Sequence, residues 1–321
     1  MIKNYIGLDS TPAQITDILR KKHWIGNETV GDISKPGEGN MNVVVRVQTG
    51  ERSFILKQSR PYVQKYQQVE APLNRIATEF QFYETVKAGS RHFPRIYHYD
   101  PEDHLLMMED LGNTIDFSEI YNDRSITGQE IERLCSILTE IHSVEVPTDF
   151  PDNMGLRQLN YQHIFVLPFT EDNGFDLDSI QDGLRELSRP ILSDAKLIGV
   201  VHGLGDQYLS EGDVLLHGDY YPGSWMRTEK GLYVLDPEFS FKGFREFDIG
   251  VMAAHLIMAS MDVQMLRTVT DRYNLSFNEQ KVKQMAGIEM IRRIIGLAQL
   301  PLERSLKQKR WLLDLAVNLI R

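Results

Sequence analysis

The sequence is short of cysteine, of positive charge and of long apolar runs, and each shortage closes off a class of protein. Cys135 is its single cysteine, so no intramolecular disulfide can form and a reducing compartment fits. Lys and Arg number 35 against 45 Asp and Glu, for a formal net charge of -10. Proteins that neutralise nucleic-acid phosphates usually present a basic face, so no nucleic-acid partner is expected. The most apolar stretch, Ile249 to Met261, is interrupted by His255. It falls short of the ~20 residues that span a bilayer. Met1 to Tyr5 lacks the apolar core of a signal peptide. A cytoplasmic protein with no membrane partner is therefore expected. There is no HExxH motif and no Cys/His cluster, which removes the usual zinc sites. His142, His163 and His255 read as capping or core histidines.

What is present is a chain of 321 residues, 42% hydrophobic, enough for one large core or two modest ones. Thr11-Pro12 reads as a helix cap with Pro at the first helical position, opening a helix to about Lys22. The valine run Val43 to Val47 predicts a strand, Thr49 to Arg52 a turn, and Ser53 to Lys57 the returning strand. A helix is expected over Asn74 to Val86 and a buried strand over His104 to Glu109. Thr127 and Glu130 form a capping box. The stripe Ile131, Leu134, Cys135, Leu138 and Ile141 follows, and places Cys135 in a core. Beyond residue 113 the pattern is mainly helical, except for Val214 to Leu216, Ser224 to Thr228 and Leu232 to Leu235, which read as strands. The order is thus a β-rich first third and a helical remainder with a small β insertion. The expected boundary lies near residue 111.

Phosphoryl transfer needs a phosphate cradle, a divalent cation and a carboxylate that orients the attacking hydroxyl. Asp219, in His217-Gly218-Asp219, falls on a loop between strands and suits the role of base. Asp236 and Glu238 follow the next strand and suit Mg²⁺, which takes oxygen ligands and few protein groups. Either fragment alone reads as a turn or a solvated strand end; the pair, joined by a strand-turn-strand, favours a site. Lys57 ends an apolar strand and could meet nucleotide phosphates, held by Glu79 on the next helix, or could be a surface lysine. Gly37-Glu38-Gly39-Asn40 allows close backbone approach to an anion, as would any glycine turn. Arg292 and Arg293 lie in an apolar helical stretch, where burying charge demands a partner. That partner is either an anionic or hydroxyl-rich ligand or a structural acid. Asp248 is expected to cap a helix and brace the catalytic loop.

These residues resemble the protein-kinase-like small-molecule kinases, the group that includes aminoglycoside and choline kinases. Within it the pattern is most similar to the 5-methylthioribose kinases. The resemblance rests on His217-Gly218-Asp219-Tyr220-Tyr221-Pro222-Gly223-Ser224, Asp236-Pro237-Glu238-Phe239 and Phe247-Asp248-Ile249-Gly250. Ser224 stands where protein kinases and aminoglycoside kinases carry a metal-binding Asn. Gly37 to Asn42, Lys57-Gln58, Met108 to Leu111 and Met290 to Gly296 agree as well. The resemblance implies an α+β, two-lobed protein-kinase-like fold. Residues 1–111 would form the nucleotide-binding lobe and residues 112–321 the catalytic and acceptor-binding lobe. It implies ATP and Mg²⁺, and transfer of the γ-phosphate to the anomeric hydroxyl of methylthioribose. Asp219 would be the base and touch substrate, with Asp236 and Glu238 the metal ligands. Gly37, Gly39, Asn40, Lys57, Glu79, Glu109, Asp110 and Leu111 would serve the nucleotide. Arg292 and Arg293 would hold the small-molecule acceptor. Analogy with related kinases allows a homodimer.

Two departures touch the acceptor side. The stretch from Asp248 to Arg292 is shorter than in methylthioribose kinases, and the segment from Asn160 to Ser188 has no tryptophan. Two alternatives therefore stand beside that reading: a kinase of another small alcohol (a deoxysugar, a choline-like compound or an aminoglycoside), and a catalytically silent nucleotide-binding module.

Overall fold

A computed structural model describes residues 2–37, 41–86, 91–123 and 125–321. The chain divides into two compact units, Met1–Thr114 and Ile115–Arg321.

The first unit begins with α1 (Pro12–Lys21), capped by Thr11 with Pro12 in its first turn as expected; Gln14 completes a capping box that was not anticipated. Strands β1 (Val30–Ser34), β2 (Val43–Thr49) and β3 (Ser53–Gln58) follow, then the small hairpin β4 (Tyr62–Val63) and β5 (Tyr66–Glu70). Helix α2 (Arg75–Val86) and strands β6 (Ile96–Asp100) and β7 (Leu105–Glu109) complete it. The main sheet has the order β1-β2-β3-β7-β6, antiparallel throughout. β3 is central and its two faces have different work, because alternate side chains point to opposite faces. Phe54 and Leu56 join Val45, Val47, Leu105 and Met107 in a core sealed by Ile15 and Leu19 of α1. Lys57, on the other face, reaches Glu79 of α2. The sequence did not announce β1 and β6, whose alternation is broken by polar residues and whose pairing passes through bulges.

The second unit opens with β8 (Ile115–Asp116), α3 (Ile120–Asp123) and α4 (Gly128–Ser143). The predicted Thr127–Glu130 capping box is present, and the stripe from Ile131 to Ile141 is buried. Burial pushes the Cys135 thiol up to about 12, which makes it a packing residue. Next come α5 (Met154–Tyr161), a π-helical turn over Gln162–Val166, α6 (Leu177–Ile180), α7 (Leu184–Leu192) and α8 (Ala195–Leu209). Four short strands follow: β9 (Val214–Leu216), β10 (Trp225–Thr228), β11 (Gly231–Val234) and β12 (Phe241–Gly243). The unit closes with α9 (Glu246–Ser260), α10 (Gln264–Thr270), α11 (Glu279–Ile295) and α12 (Leu306–Ile320).

The apolar run noted in the sequence is α9, buried along nearly its whole length among α3, α10 and α11. A helix apolar all round is a core helix when neighbours cover every face. Among the described residues, no helix is long and apolar enough to cross a membrane. β9 pairs with β12, while β10 pairs with β11 and β8. The loop from His217 to Ser224 is thus strung between two separate small sheets. Ser224 itself belongs to a 3-10 turn, so β10 begins one residue later than expected.

Candidate active site

The loop after β9 is built around Asp248. This side chain was expected to cap α9, but it sits inside the first turn and makes no cap bond; the N-cap is Arg245, which makes none either. Its carboxylate instead accepts the backbone N–H of His217 at 2.7 Å and of Gly218 at 3.0 Å. His142 Nε2 lies 3.2 Å away, and its Nδ1 meets the Tyr273 hydroxyl at 2.7 Å. The expected bracing of the loop is therefore direct. Asp219 N–H donates to His217 Nδ1 at 3.3 Å, so the His217 proton is on Nε2 and is given to the Leu235 carbonyl at 3.0 Å. That bond ties the Asp219 loop to the end of β11. The Ser224 hydroxyl donates to the Asp219 carbonyl at 2.9 Å and closes the loop, and Tyr220 anchors it to the Leu134 carbonyl at 2.8 Å.

Gly218 has φ +82°, and a Cβ there would meet the Phe239 carbonyl oxygen at 2.2 Å. Both strain and overlap exclude a side chain. We expect Gly218→Ala to cost about 2–3 kcal/mol, measured by urea unfolding, and to abolish turnover by moving Asp219.

Asp236 also lies in the left-handed region, at φ 62°, immediately before Pro237. A non-glycine residue held there ahead of a proline costs about 1–3 kcal/mol and is kept by its surroundings. Asn153 supplies part of that restraint: its Nδ2 donates to the Glu238 carbonyl at 2.8 Å and to the Ser240 carbonyl at 3.1 Å. Glu238 is buried. No group of three or more His, Cys, Asp and Glu residues is set to hold a metal among the described residues. Asp236 and Glu238, one residue apart in the chain, offer few protein oxygens, which fits a cation that takes most of its ligands from water and phosphate oxygens, as Mg²⁺ does.

Asp219 sits beside a buried charge cluster. Arg293 Nη2 is 3.8 Å from Asp219 Oδ1, and its guanidinium lies 5.0 Å from the Tyr221 ring centroid. Burial pushes the Asp219 carboxyl up to about 6, against the opposing pull of Arg293 and Arg292. A quarter of the side chain remains exposed, so water reaches the carboxylate from one side. The sequence left two partners open for the arginines, and the structure supplies an acid. Glu289, one turn earlier on α11, meets Arg292 Nη1 at 2.8 Å and Arg293 Nε at 2.6 Å. Burial alone would raise Glu289; Arg292, Arg293 and His255 outweigh it and hold it well below the ordinary carboxylate range. Burial pushes His255 down to about 4, so it is neutral at physiological pH. Its Nε2–H then donates to Glu289 at 3.0 Å, and Nδ1 accepts from Tyr121 at 2.6 Å.

In the N-terminal unit, buried Lys57 is paired with Glu79 at 2.7 Å. Arg75, fully buried, donates to Asn42 Oδ1 and to the carbonyls of Met41, Arg60, Tyr62 and Pro72. It thereby fixes the chain on both sides of β3, and nothing in its sequence context signalled this. Among the described residues, nothing lies within 4 Å of where a Gly37 Cβ would sit. Glu38, Gly39 and Asn40 lie outside the described residues. Glu109 ends β7, its backbone N–H bonded to the Arg95 carbonyl at 2.8 Å. Asp110 is committed to Arg46 at 2.8 Å, to Ser53 and to the Gly112 N–H. The Asp110 carboxylate is thus engaged within its own unit.

Residues 32–284 match the phosphotransferase enzyme family, and the chain belongs to it. It is a small-molecule kinase with the protein-kinase-like fold of the choline and aminoglycoside kinases. The methylthioribose kinase of Exiguobacterium sibiricum is 28% identical over 94% of this chain and 91% of that enzyme. The methylthioribose kinase of Escherichia coli is 26% identical over 71% of this chain, but the match spans 57% of the E. coli enzyme. Among solved structures, choline kinase LicA from Streptococcus pneumoniae superposes with a TM-score of 0.54 at 15% identity, covering 95% of this chain and 98% of LicA. A spectinomycin phosphotransferase in complex with ADP and spectinomycin gives 0.56 at 13% identity, covering 97% and 98%.

Proposed function

We propose that the protein transfers the γ-phosphate of ATP to the anomeric hydroxyl of 5-methylthioribose. The observation that carries this reading is the Asp219 carboxylate, held on a braced loop 3.8 Å from Arg293. The acceptor hydroxyl oxygen attacks the γ-phosphorus, the bond from phosphorus to the β,γ-bridging oxygen breaks, and ADP leaves. Asp219 accepts the hydroxyl proton late in transfer. Lys57, fixed by Glu79, contacts nucleotide phosphates; Gly37, Gly39 and Asn40 serve the same phosphates, and Glu109 to Leu111 serve the base. Asp236 and Glu238 would hold Mg²⁺, whose contribution is to neutralise charge on the β- and γ-phosphate oxygens. Arg292 and Arg293 bind the acceptor's oxygen atoms. A cytoplasmic setting accords with the single buried thiol.

The names of the curated relatives support methylthioribose over other alcohols. The two guanidiniums beside Asp219 support it over choline-like or aminoglycoside acceptors, since a cationic acceptor gains nothing from arginine donors. The test is ATP turnover with methylthioribose, ribose, 5-deoxyribose, choline and an aminoglycoside. Methylthioribose should exceed 5-deoxyribose in kcat/KM by about tenfold or more, the value of its extra apolar group. No acceptor-dependent turnover with any of the five would end the proposal.

A further inference from the structure

Glu289 belongs to none of the motifs that define the site, yet it accepts hydrogen bonds from three side chains beside it. Its Oε1 accepts from His255 Nε2 at 3.0 Å, Arg293 Nε at 2.6 Å and Arg292 Nη1 at 3.1 Å; its Oε2 accepts from Arg292 Nη1 at 2.8 Å. Behind it the chain of donors continues through His255 to Tyr121, and all three side chains are buried. Arg292 is 8% exposed, and its Nε is buried with no hydrogen-bond partner among the described residues. Glu289 thus engages one edge of that guanidinium and leaves another edge unsatisfied.

From this arrangement we infer that Glu289 is a positioning residue that also sets acceptor charge selectivity. It aims the two guanidiniums and cancels their charge, so the site takes an uncharged polyhydroxyl acceptor and discriminates against an anionic one. The charge count is direct. Within this cluster Arg292 and Arg293 carry two positive charges, Asp219 and Glu289 two negative, and neutral His255 adds none; Glu238 adds further negative charge near Asp219. A buried arginine pair without Glu289 would attract a carboxylate strongly, because charges taken out of water interact far more than in it. With Glu289 in place, an entering carboxylate meets no net positive field and faces Asp219. A neutral hydroxyl needs no net charge, only guanidinium N–H groups that Glu289 leaves free to turn toward it. The inference rests on the proposed acceptor role of the arginines and adds the residue that makes them selective.

The test compares the full-length wild type with Glu289→Gln, which keeps the shape and removes the charge. Two readouts are taken: acceptor and ATP KM values, and ribonate binding by calorimetry. We expect the acceptor KM to rise about tenfold with the ATP KM within about twofold, and ribonate to bind about tenfold more tightly. Adding Arg292→Gln to that variant restores neutrality and should remove the gain in ribonate affinity, which a merely structural role for Glu289 would not do. Unchanged acceptor KM and unchanged ribonate affinity in folded Glu289→Gln would overturn the inference. If that variant does not fold, Tyr121→Phe carries the test, since it removes the hydroxyl that orders His255. A rise of about threefold in acceptor KM alone supports the inference, and equal KM values for wild type and variant overturn it. Ribonate binding needs no turnover, so a wild type that phosphorylates no acceptor would defeat the proposed function while this comparison is still read.

Discussion

Asp219→Asn should lower kcat/KM for the acceptor by about a thousandfold while leaving the protein at least as stable as the wild type. The loss follows from chemistry: the amide cannot take the hydroxyl proton, and positioned general bases contribute about 10²–10⁴. Stability should move the other way. Burial first, opposed by Arg293 and Arg292, sets the Asp219 carboxyl at about 6, above its ordinary 3.8. A carboxyl raised in the fold contributes stability that is fully present below pH 3.8 and lost as pH rises through 6. At neutral pH the native state therefore carries the cost of an ionised, largely enclosed carboxylate. Asparagine removes it, a gain of about 1–2 kcal/mol after discounting for the exposed edge. The same shift fixes the wild-type pH profile: the base must be ionised, so log kcat/KM should fall with unit slope below about pH 6. Steady-state kinetics from pH 5 to 8 and urea unfolding of both proteins check the set. An asparagine variant within a few-fold of wild type would remove Asp219 from the role of base.

Asp248→Ala should be the most destabilising of the single changes considered, by about 3–5 kcal/mol, and should abolish turnover without touching substrate. The side chain is wholly buried and receives two backbone N–H groups of the Asp219 loop and the His142 ring. Alanine leaves those donors buried without an acceptor, and each such loss costs about 1–3 kcal/mol. Asp248→Asn keeps one acceptor oxygen and should lose roughly half as much. Urea midpoints for the three proteins decide it. An alanine variant as stable as the wild type would mean that the loop holds its shape without this brace.

Where the sequence was legible, the signal was local. The Thr11-Pro12 cap and the Thr127–Glu130 capping box are spelled out within four residues, and both helices start there. The hairpin of β2 and β3 is marked by its valines and turn, and the stripe on α4 is buried as read. The Lys57–Glu79 pair was nameable because it joins one strand to the next helix. What escaped notice depends on contacts between distant segments. Tyr121 and His255 meet across 134 positions, and His255 looked like any histidine in an apolar helix. β9 finds its partner in β12, three residues long and too short to announce itself. Asp248 has the sequence context of a helix cap, yet the fold turns it toward the loop, where it accepts two backbone N–H groups. Glu289 was readable and was missed: Arg292 and Arg293 stand three and four positions after it, the spacing at which helical side chains meet.

The most direct test of the central claim is the identity of the product made from methylthioribose and ATP. Phosphorylation at the anomeric oxygen removes the reducing end of the sugar and couples phosphorus to the C1 nucleus. We predict one equivalent of a non-reducing sugar phosphate per ADP formed, with ³¹P coupling to C1 by NMR and none to other ring carbons beyond C2. A reducing phosphosugar, with phosphate on any other hydroxyl, or ADP formed without a phosphorylated sugar, would contradict it.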